Sequence, residues 1–253
     1  MTMTFFRAAT VAVVVALSAM PAKAGETLVA VAANFTAAAN EIGAAFTKST
    51  GHTVKYSFGP TGQLYTQITQ GAPFEVFLAA DAKRPALAES EGHAVDGSRF
   101  TYAFGKLVLW SADATLIDGT DAILKTGAFE KLSIANPAAA PYGAAALETL
   151  KAMGVHDAVA PKIVQGASIS QAHQFVATGS AQVGFVALAQ IALDDKGSRW
   201  VVPENLYAPI VQDVVLLKTG AANEAATAYV TFLRSPEALD IIQRYGYGIA
   251  SAS

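Results

Sequence analysis

Strand-like and helix-like segments alternate along this chain from residue 27 to its C-terminus, and this alternation limits the possible folds more than any other feature. Residues 27–33 form a short apolar run typical of a buried strand, and from 35 to 46 apolar residues recur at the i, i+3, i+4, i+7 spacing of a helix. The further predicted strands are 53–58, 74–80, 106–110, 132–135, 162–164, 182–186 and 210–217. The further predicted helices are 63–70, 121–126, 144–153, 170–177, 224–233 and 236–244. Such alternation predicts an α/β fold with mainly parallel sheets.

The N-terminus has the pattern of a secretory signal peptide. Arg7 precedes a mostly apolar run at 8–20, and residues 22–24 form an A-x-A cleavage site before Gly25. The run has about 13 residues, too few to cross a bilayer core that needs about 20. We therefore predict that residues 1–24 are removed on export to the periplasm. Removal takes away two basic residues and no acidic one, so the net charge changes from −3 to −5 over the remaining 229 residues.

A mature chain of this length can form one large domain or two lobes of about a hundred residues each. No Pro/Gly/Ser-rich linker marks a boundary. Two lobes would therefore share short connections, and we predict crossovers at 100–105 and 207–212, where a loop joins an apolar strand.

Composition excludes several classes of function. The chain has no cysteine, so disulfides, thiolate nucleophiles and cysteine-ligated zinc are excluded. Its mildly acidic balance, without a basic cluster, argues against nucleic-acid binding, which needs grouped lysines and arginines to displace counterions. The four histidines lack metal-ligand spacing, and nucleophile-elbow, Walker A and dinucleotide-binding strings are absent. An enzyme of a familiar type is disfavoured.

Small polar residues stand where predicted strands end and helices begin. Asn34, Thr61 and Tyr142 lie at three such junctions, and residues 168–170 form a fourth. Helix N-termini present unpaired N–H groups and the positive end of the macrodipole. Several of them converging on one cleft would bind an anion without a cationic side chain.

The residues at these junctions belong to a longer series of familiar strings. They are VAVAANFT at 29–36, SFGPTGQL at 57–64, GAPFEVFLAAD at 71–81, GKLVLWS at 105–111, ANP at 135–137, APYG at 140–143, GFV at 184–186 and RYGY at 244–247. In this order, and over essentially the whole mature chain, they resemble the molybdate-binding proteins of bacterial ABC importers.

The resemblance implies a type II periplasmic binding fold, with two α/β lobes joined by two crossover strands and the ligand in the cleft. Residues 25–103 and 207–253 would form one lobe, and residues 104–206 the other. The implied ligand is molybdate or tungstate, the implied partner is a membrane permease, and a monomer is expected. No cofactor is expected, and molybdenum would be held as its oxyanion rather than by direct coordination to side chains.

The resemblance also implies four ligand-binding residues. Carried over by position, they are Asn34, Thr61, Tyr142 and, through its backbone N–H, Ile169. Two positions depart from the family. Ala187 stands where some members have a tyrosine, so the Tyr142 phenol is a candidate replacement, and Pro60 replaces a serine and removes both a hydroxyl and an N–H.

Other readings stay open. The ligand could be sulfate, thiosulfate or ferric iron. Sulfate has the charge and shape of molybdate, so only cavity size separates the two, and ferric iron would be bound by tyrosines such as Tyr245 and Tyr247. An exported hydrolase could use Ser168 or Ser170 with His173, since positions 170 and 173 share a helix face. A sensor module is a third class, which the signal peptide disfavours.

Overall fold

The computed structural model describes residues 24–249, so the predicted signal peptide lies outside the described residues except for Ala24. The strands are β1 (Glu26–Ala32), β2 (Thr53–Gly59), β3 (Val76–Leu78), β4 (Phe100–Gly105), β5 (Leu107–Ser111), β6 (Leu132–Ala135), β7 (Ile163–Gly166), β8 (Val183–Ala187), β9 (Ser198–Val201) and β10 (Ile210–Leu216). The helices are α1 (Thr36–Thr50), α2 (Thr61–Thr69), α3 (Lys83–Ser90), α4 (Ala122–Thr126), α5 (Pro141–Ala152), α6 (His156–Val159), α7 (Ile169–Ala177), α8 (Glu224–Phe232) and α9 (Pro236–Arg244). A 3-10 turn at Ala33–Phe35 connects β1 to α1.

The strands form two five-stranded sheets, one for each lobe. The first has the order β2-β1-β3-β10-β4 and the second the order β7-β6-β8-β5-β9. The predicted α/β class with two lobes is confirmed. Each sheet is mixed, because the strands β10 and β5 run antiparallel to both of their neighbours, whereas the other pairings are parallel.

The chain passes between the sheets twice. Lys106 alone separates β4 from β5, and residues 202–209 lead from β9 back to β10. The two passages meet, because Ile210 at the start of β10 pairs with Gly105 at the end of β4. The residue boundaries of the lobes stay a prediction.

Both faces of the first sheet are covered, which explains its apolar strands. Val29 and Val31 of β1 pack under α1, α8 and α9, whereas Ala30 between them packs with Leu64 and Phe77 on the side of α2. Successive side chains of a strand point to opposite faces, so one apolar run serves both layers. The second sheet is covered in the same way, by α4 and α5 on one face and α7 on the other.

Three helices begin earlier than the sequence predicted: α2 at Thr61, α5 at Pro141 and α7 at Ile169. Proline fits the first turn of α5, where its missing N–H is not needed. Three of the predicted site residues, Thr61, Tyr142 and Ile169, therefore lie in first helical turns rather than in loops.

Four elements were not predicted from the sequence patterns. The segment predicted as a crossover at 100–105 is the strand β4, and the helices α3 and α6 and the strand β9 were not predicted. Helix α3 buries only Pro85 and Ala88, so it shows no apolar periodicity, and β9 has only four residues. None of the helices within residues 24–249 has the length and apolar character needed to span a membrane.

Candidate anion-binding site

A small cavity lies where the carboxyl end of β1 and the first turns of α2, α5 and α7 meet. Its lining residues come from both lobes and are Ala32, Ala33, Asn34, Gly59, Pro60, Thr61, Ala80, Ala140, Pro141, Tyr142 and Ile169. The four predicted site residues are thus brought together around one space. The lining includes no charged side chain.

The helical segments that begin at this cavity mostly lack side-chain caps. Ala32, Pro60 and Ala140 occupy the N-cap positions of the 3-10 turn, α2 and α5, and none of these described residues caps its helix through a side chain. The first turns of these segments contain no acidic residue. A helix start without a cap leaves backbone N–H groups in need of an acceptor. A bound anion would supply that acceptor and would also be favoured by the helix dipoles.

Thr61 is the first residue of α2, and a hydrogen bond from the backbone orients its hydroxyl so that the hydroxyl hydrogen remains available. The side chain is buried, and its Oγ1 accepts the backbone N–H of Ala80 at 3.0 Å. Within the described part of the chain, the hydroxyl hydrogen has no recorded acceptor of its own. It can therefore donate to a group in the cavity.

Asn34 is buried, and both hydrogens of its amide are used inside the protein. Its Nδ2 donates to Oε1 of Gln212 at 2.9 Å and to the hydroxyl of Tyr247 at 3.0 Å. The Tyr247 hydroxyl in turn donates to the backbone oxygen of Asn34 at 2.9 Å. A contribution of Asn34 to a ligand would therefore come from its backbone N–H.

Tyr142 is fully buried in the first turn of α5. Its hydroxyl oxygen accepts from Nε2 of Gln212 at 3.1 Å. Burial raises the pKa of Tyr142 well above its ordinary value, and the nearby Tyr247 adds to the rise, whereas the hydrogen bond from Gln212 opposes it. The phenol therefore stays protonated and can donate at neutral pH.

Ile169 and Ala187 are linked through Gln190. The Gln190 side chain donates from Nε2 to the oxygen of Ile169 at 3.2 Å and accepts the N–H of Ala187 at 3.0 Å. Ile169 is the first residue of α7 and lines the cavity, but Ala187 does not. A phenol is therefore absent from that side of the cavity, where some relatives were expected to have one.

The two lobes are in direct contact beside the cavity. The N–H of Gly62 donates to the oxygen of Ala139 at 2.9 Å, and the Ser170 hydroxyl donates to the oxygen of Ala33 at 3.2 Å. Arg84 completes this contact with a bond from Nη2 to the oxygen of Ala138 at 3.3 Å. The structure is therefore closed over the site.

The side chains proposed for a hydrolase do not form a nucleophile–base pair. Ser170 donates to Ala33, Ser168 accepts the N–H of Gln171, and the ring of His173 stacks on Trp110 with centroids 4.9 Å apart. Burial lowers the pKa of His173.

Iron binding finds no support either. Burial raises the pKa of Tyr247 well above its ordinary value, so this phenol does not ionise readily. Over residues 24–249, no group of three or more histidine or acidic side chains could hold a metal ion.

Comparisons with known proteins agree with this geometry. Residues 27–248 match the family described as bacterial extracellular solute-binding protein. The molybdate-binding protein ModA of Rhodobacter capsulatus is 62% identical over 229 residues, with 90% of each chain covered. ModA of Azotobacter vinelandii is 57% identical over 236 residues, covering 92% of this chain and 94% of the relative.

Among solved structures, a periplasmic molybdate-binding protein of Azotobacter vinelandii superposes with a TM-score of 0.86 and 40% identity, covering 89% of this chain and 100% of that one. The sulfate-binding protein SubI of Mycobacterium tuberculosis superposes with a TM-score of 0.68 at 18% identity, covering 88% and 86%, which shows a shared fold alone. The chain belongs to the bacterial extracellular solute-binding proteins and, within them, to the family of the molybdate-binding proteins.

Proposed function

We propose that this chain is a receptor that captures molybdate, and tungstate in the same way, and delivers the ion to the membrane permease of an ABC importer. It is a binding protein and not an enzyme. The observation that carries the proposal is the cavity between the lobes, where three helical segments begin without side-chain caps and no charged side chain is present.

The chemistry of the cavity suits a fully deprotonated oxyanion. Molybdate is a dianion near neutral pH, and its oxygens only accept hydrogen bonds. The proposed donors are the hydroxyls of Thr61 and Tyr142 and the backbone N–H groups of Asn34 and Ile169. Charge-assisted hydrogen bonds contribute about 1.5–3 kcal/mol each, so a few of them can hold the ion without a cation.

The arrangement of the ligand cavity between two lobes explains how the ion would be captured and delivered. The lobes, proposed to consist of 25–103 with 207–253 and of 104–206, each contribute residues to the cavity. A ligand held by both lobes favours the closed arrangement, in which Gly62 bonds to Ala139. A permease that recognises this closed surface would select the loaded receptor.

The remaining parts of the proposal concern location and assembly. Residues 1–24 act as a cleavable signal peptide, so the mature protein works in the periplasm. We also propose that it acts as a monomer.

Calorimetric titration of residues 25–253 with molybdate, tungstate and sulfate tests the proposal. We expect tight binding of the first two at one site per chain and no detectable heat from sulfate. Tight binding of sulfate with none of molybdate would keep the mode of capture but change the ligand. If none of the three ions bound detectably, the receptor function would be contradicted.

A further inference from the structure

At and behind the wall of the ligand cavity lies a chain of buried polar side chains, which we call the relay. Its members are Asn34, Tyr102, Tyr142, Gln212 and Tyr247, each at most 5% exposed. They come from five separate stretches of sequence. Only Asn34 and Tyr142 also line the cavity, so the other three act behind them.

The hydrogen bonds of the relay have one direction, set at its far end by a backbone carbonyl. The Tyr247 hydroxyl gives its only hydrogen to the backbone oxygen of Asn34, so towards the Asn34 side chain it can only accept. The group of Asn34 that faces Tyr247 must then be its NH₂. The same NH₂ donates to Gln212, which therefore turns Oε1 towards Asn34.

The direction continues from Gln212 to the ligand cavity. Because Oε1 of Gln212 accepts from Asn34, Nε2 points the other way and donates to the hydroxyl oxygen of Tyr142. The Tyr102 hydroxyl lies 3.0 Å from both Oε1 of Gln212 and the backbone oxygen of Ala79, and it has one hydrogen for the two acceptors. A phenol oxygen has one hydrogen and accepts in the remaining in-plane position. Because Gln212 fills that acceptor position, the Tyr142 hydrogen is left for the cavity.

Two features of the backbone place the Gln212 side chain against Tyr142. The register of β4 and β10 shifts between Gln212 and Asp213, which pair with Ala103 and Thr101, so Tyr102 is the extra residue of a β-bulge. Bulges redirect side chains next to functional sites. In addition, a Cβ at Gly105 would lie 2.2 Å from the Tyr142 hydroxyl oxygen and 2.6 Å from Nε2 of Gln212, so only glycine admits this pair.

We infer that Gln212 is a positioning residue for specificity: it holds Tyr142 as an obligatory hydrogen-bond donor, so that the site accepts oxyanions without a proton and rejects those that carry one. The inference rests on the proposed function and deepens it. A protonated oxyanion of equal charge, such as hydrogen arsenate, would place its own hydrogen against a donor and leave it unpaired. Gln212 does not touch the ligand and acts through Tyr142.

A double-mutant cycle on ligand affinity tests the inference. Gln212→Glu keeps the size of the side chain, but its carboxylate only accepts, so the Tyr142 hydroxyl would turn to donate to position 212. The Asn34 amide and the Tyr142 hydroxyl would then both donate to the carboxylate, which favours its ionised form. In this background Tyr142 no longer donates to the ligand.

We expect Tyr142→Phe to weaken molybdate binding by about tenfold or more with Gln212 in place, and by less than about twofold with Gln212→Glu. The negative charge introduced by Gln212→Glu repels the ligand whether or not Tyr142→Phe is also present, so its effect cancels when these two variants are compared. An equal cost of Tyr142→Phe in the two backgrounds would overturn the inference. Thr61→Val serves as the matched control and should cost the same in both backgrounds, because the N–H of Ala80 rather than Gln212 orients Thr61.

A second variant covers the case in which a buried carboxylate prevents folding. Tyr247→Phe removes the group that sets the direction of the relay and adds no charge. The cost of Tyr142→Phe is expected to fall at least about threefold in this background, and an unchanged cost would contradict the inference. Absence of molybdate binding by the unmutated protein would instead contradict the proposed function, and tungstate or another bound oxyanion would then serve for the same cycle.

Discussion

Replacement of Thr61 by valine separates the ligand-binding role of this residue from its structural role. Valine has nearly the same shape but no hydroxyl. In the unmutated protein that hydroxyl accepts the N–H of Ala80 and keeps its own hydrogen for the cavity. Loss of one charge-assisted bond, about 1.5–3 kcal/mol, predicts a rise in the molybdate dissociation constant of about tenfold to a hundredfold.

The same change affects the stability of the protein without ligand. The N–H of Ala80 is buried and would lose its acceptor, at a cost of about 1–3 kcal/mol. For a protein of this size, each kcal/mol lowers the melting temperature by about 2–4 °C. This penalty is present in both the free and the bound state, so it does not enter the ligand affinity.

Calorimetric titration and thermal unfolding of Thr61→Val, with Thr61→Ser as the control, measure the two effects separately. Serine keeps the hydroxyl, so its molybdate affinity should stay within about threefold of the unmutated value. The reasoning would be refuted if Thr61→Val lost stability as expected but bound molybdate as tightly as Thr61→Ser. The Thr61 hydroxyl would then not face the ligand.

Three further predictions concern closure and pH. Gly62→Ala should speed molybdate release, because the new Cβ would lie 3.2 Å from both Cα and the oxygen of Ala139 and would oppose closure of the lobes. Stopped-flow fluorescence measures the release rate, and an unchanged rate would contradict this prediction. Burial raises the pKa of Tyr142 above about 10, the ordinary value for tyrosine, so the molybdate affinity should not decline between neutral pH and about pH 10. A decline in this range that is absent in Tyr142→Phe would show that the phenol ionises and would contradict the prediction. Burial lowers the pKa of His173, so the unfolded state binds more protons at low pH, and the free energy of unfolding should fall as the pH drops below about 6.5. In denaturant unfolding, His173→Gln should reduce this dependence on pH. The same dependence in the variant would contradict the prediction.

The sequence indicated the candidate site because the proposed residues lie where a strand-like pattern ends and a helical pattern begins. Thr61, Tyr142 and Ile169 each follow a strand and open a helix, and such junctions are visible in a single sequence. Resemblance then indicated which of the junctions belong together. Their convergence on one cavity depends on sheet order, which local patterns do not contain.

The relay could not be predicted in this way. In the sequence, Gln212 is a polar residue within the apolar run that forms β10, and Tyr247 is one of two closely spaced tyrosines near the C-terminus. Asn34 and Gln212 are 178 positions apart, and Asn34 and Tyr247 are 213 apart. Side-chain pairs at such separations follow from the completed topology. The β-bulge at Tyr102 leaves no signature in the sequence for the same reason.

The order of strands in the first sheet has a consequence for how the exported chain matures. The second sheet draws all its strands from one continuous stretch, 107–201, and can assemble as soon as that stretch has crossed the membrane. The first sheet cannot, because β10 lies between β3 and β4, and β4 has no other neighbour. Pairing over such a separation is slow because a long loop must close first. Gln212 arrives with β10 and Tyr247 later still, so an incompletely translocated chain lacks the complete relay.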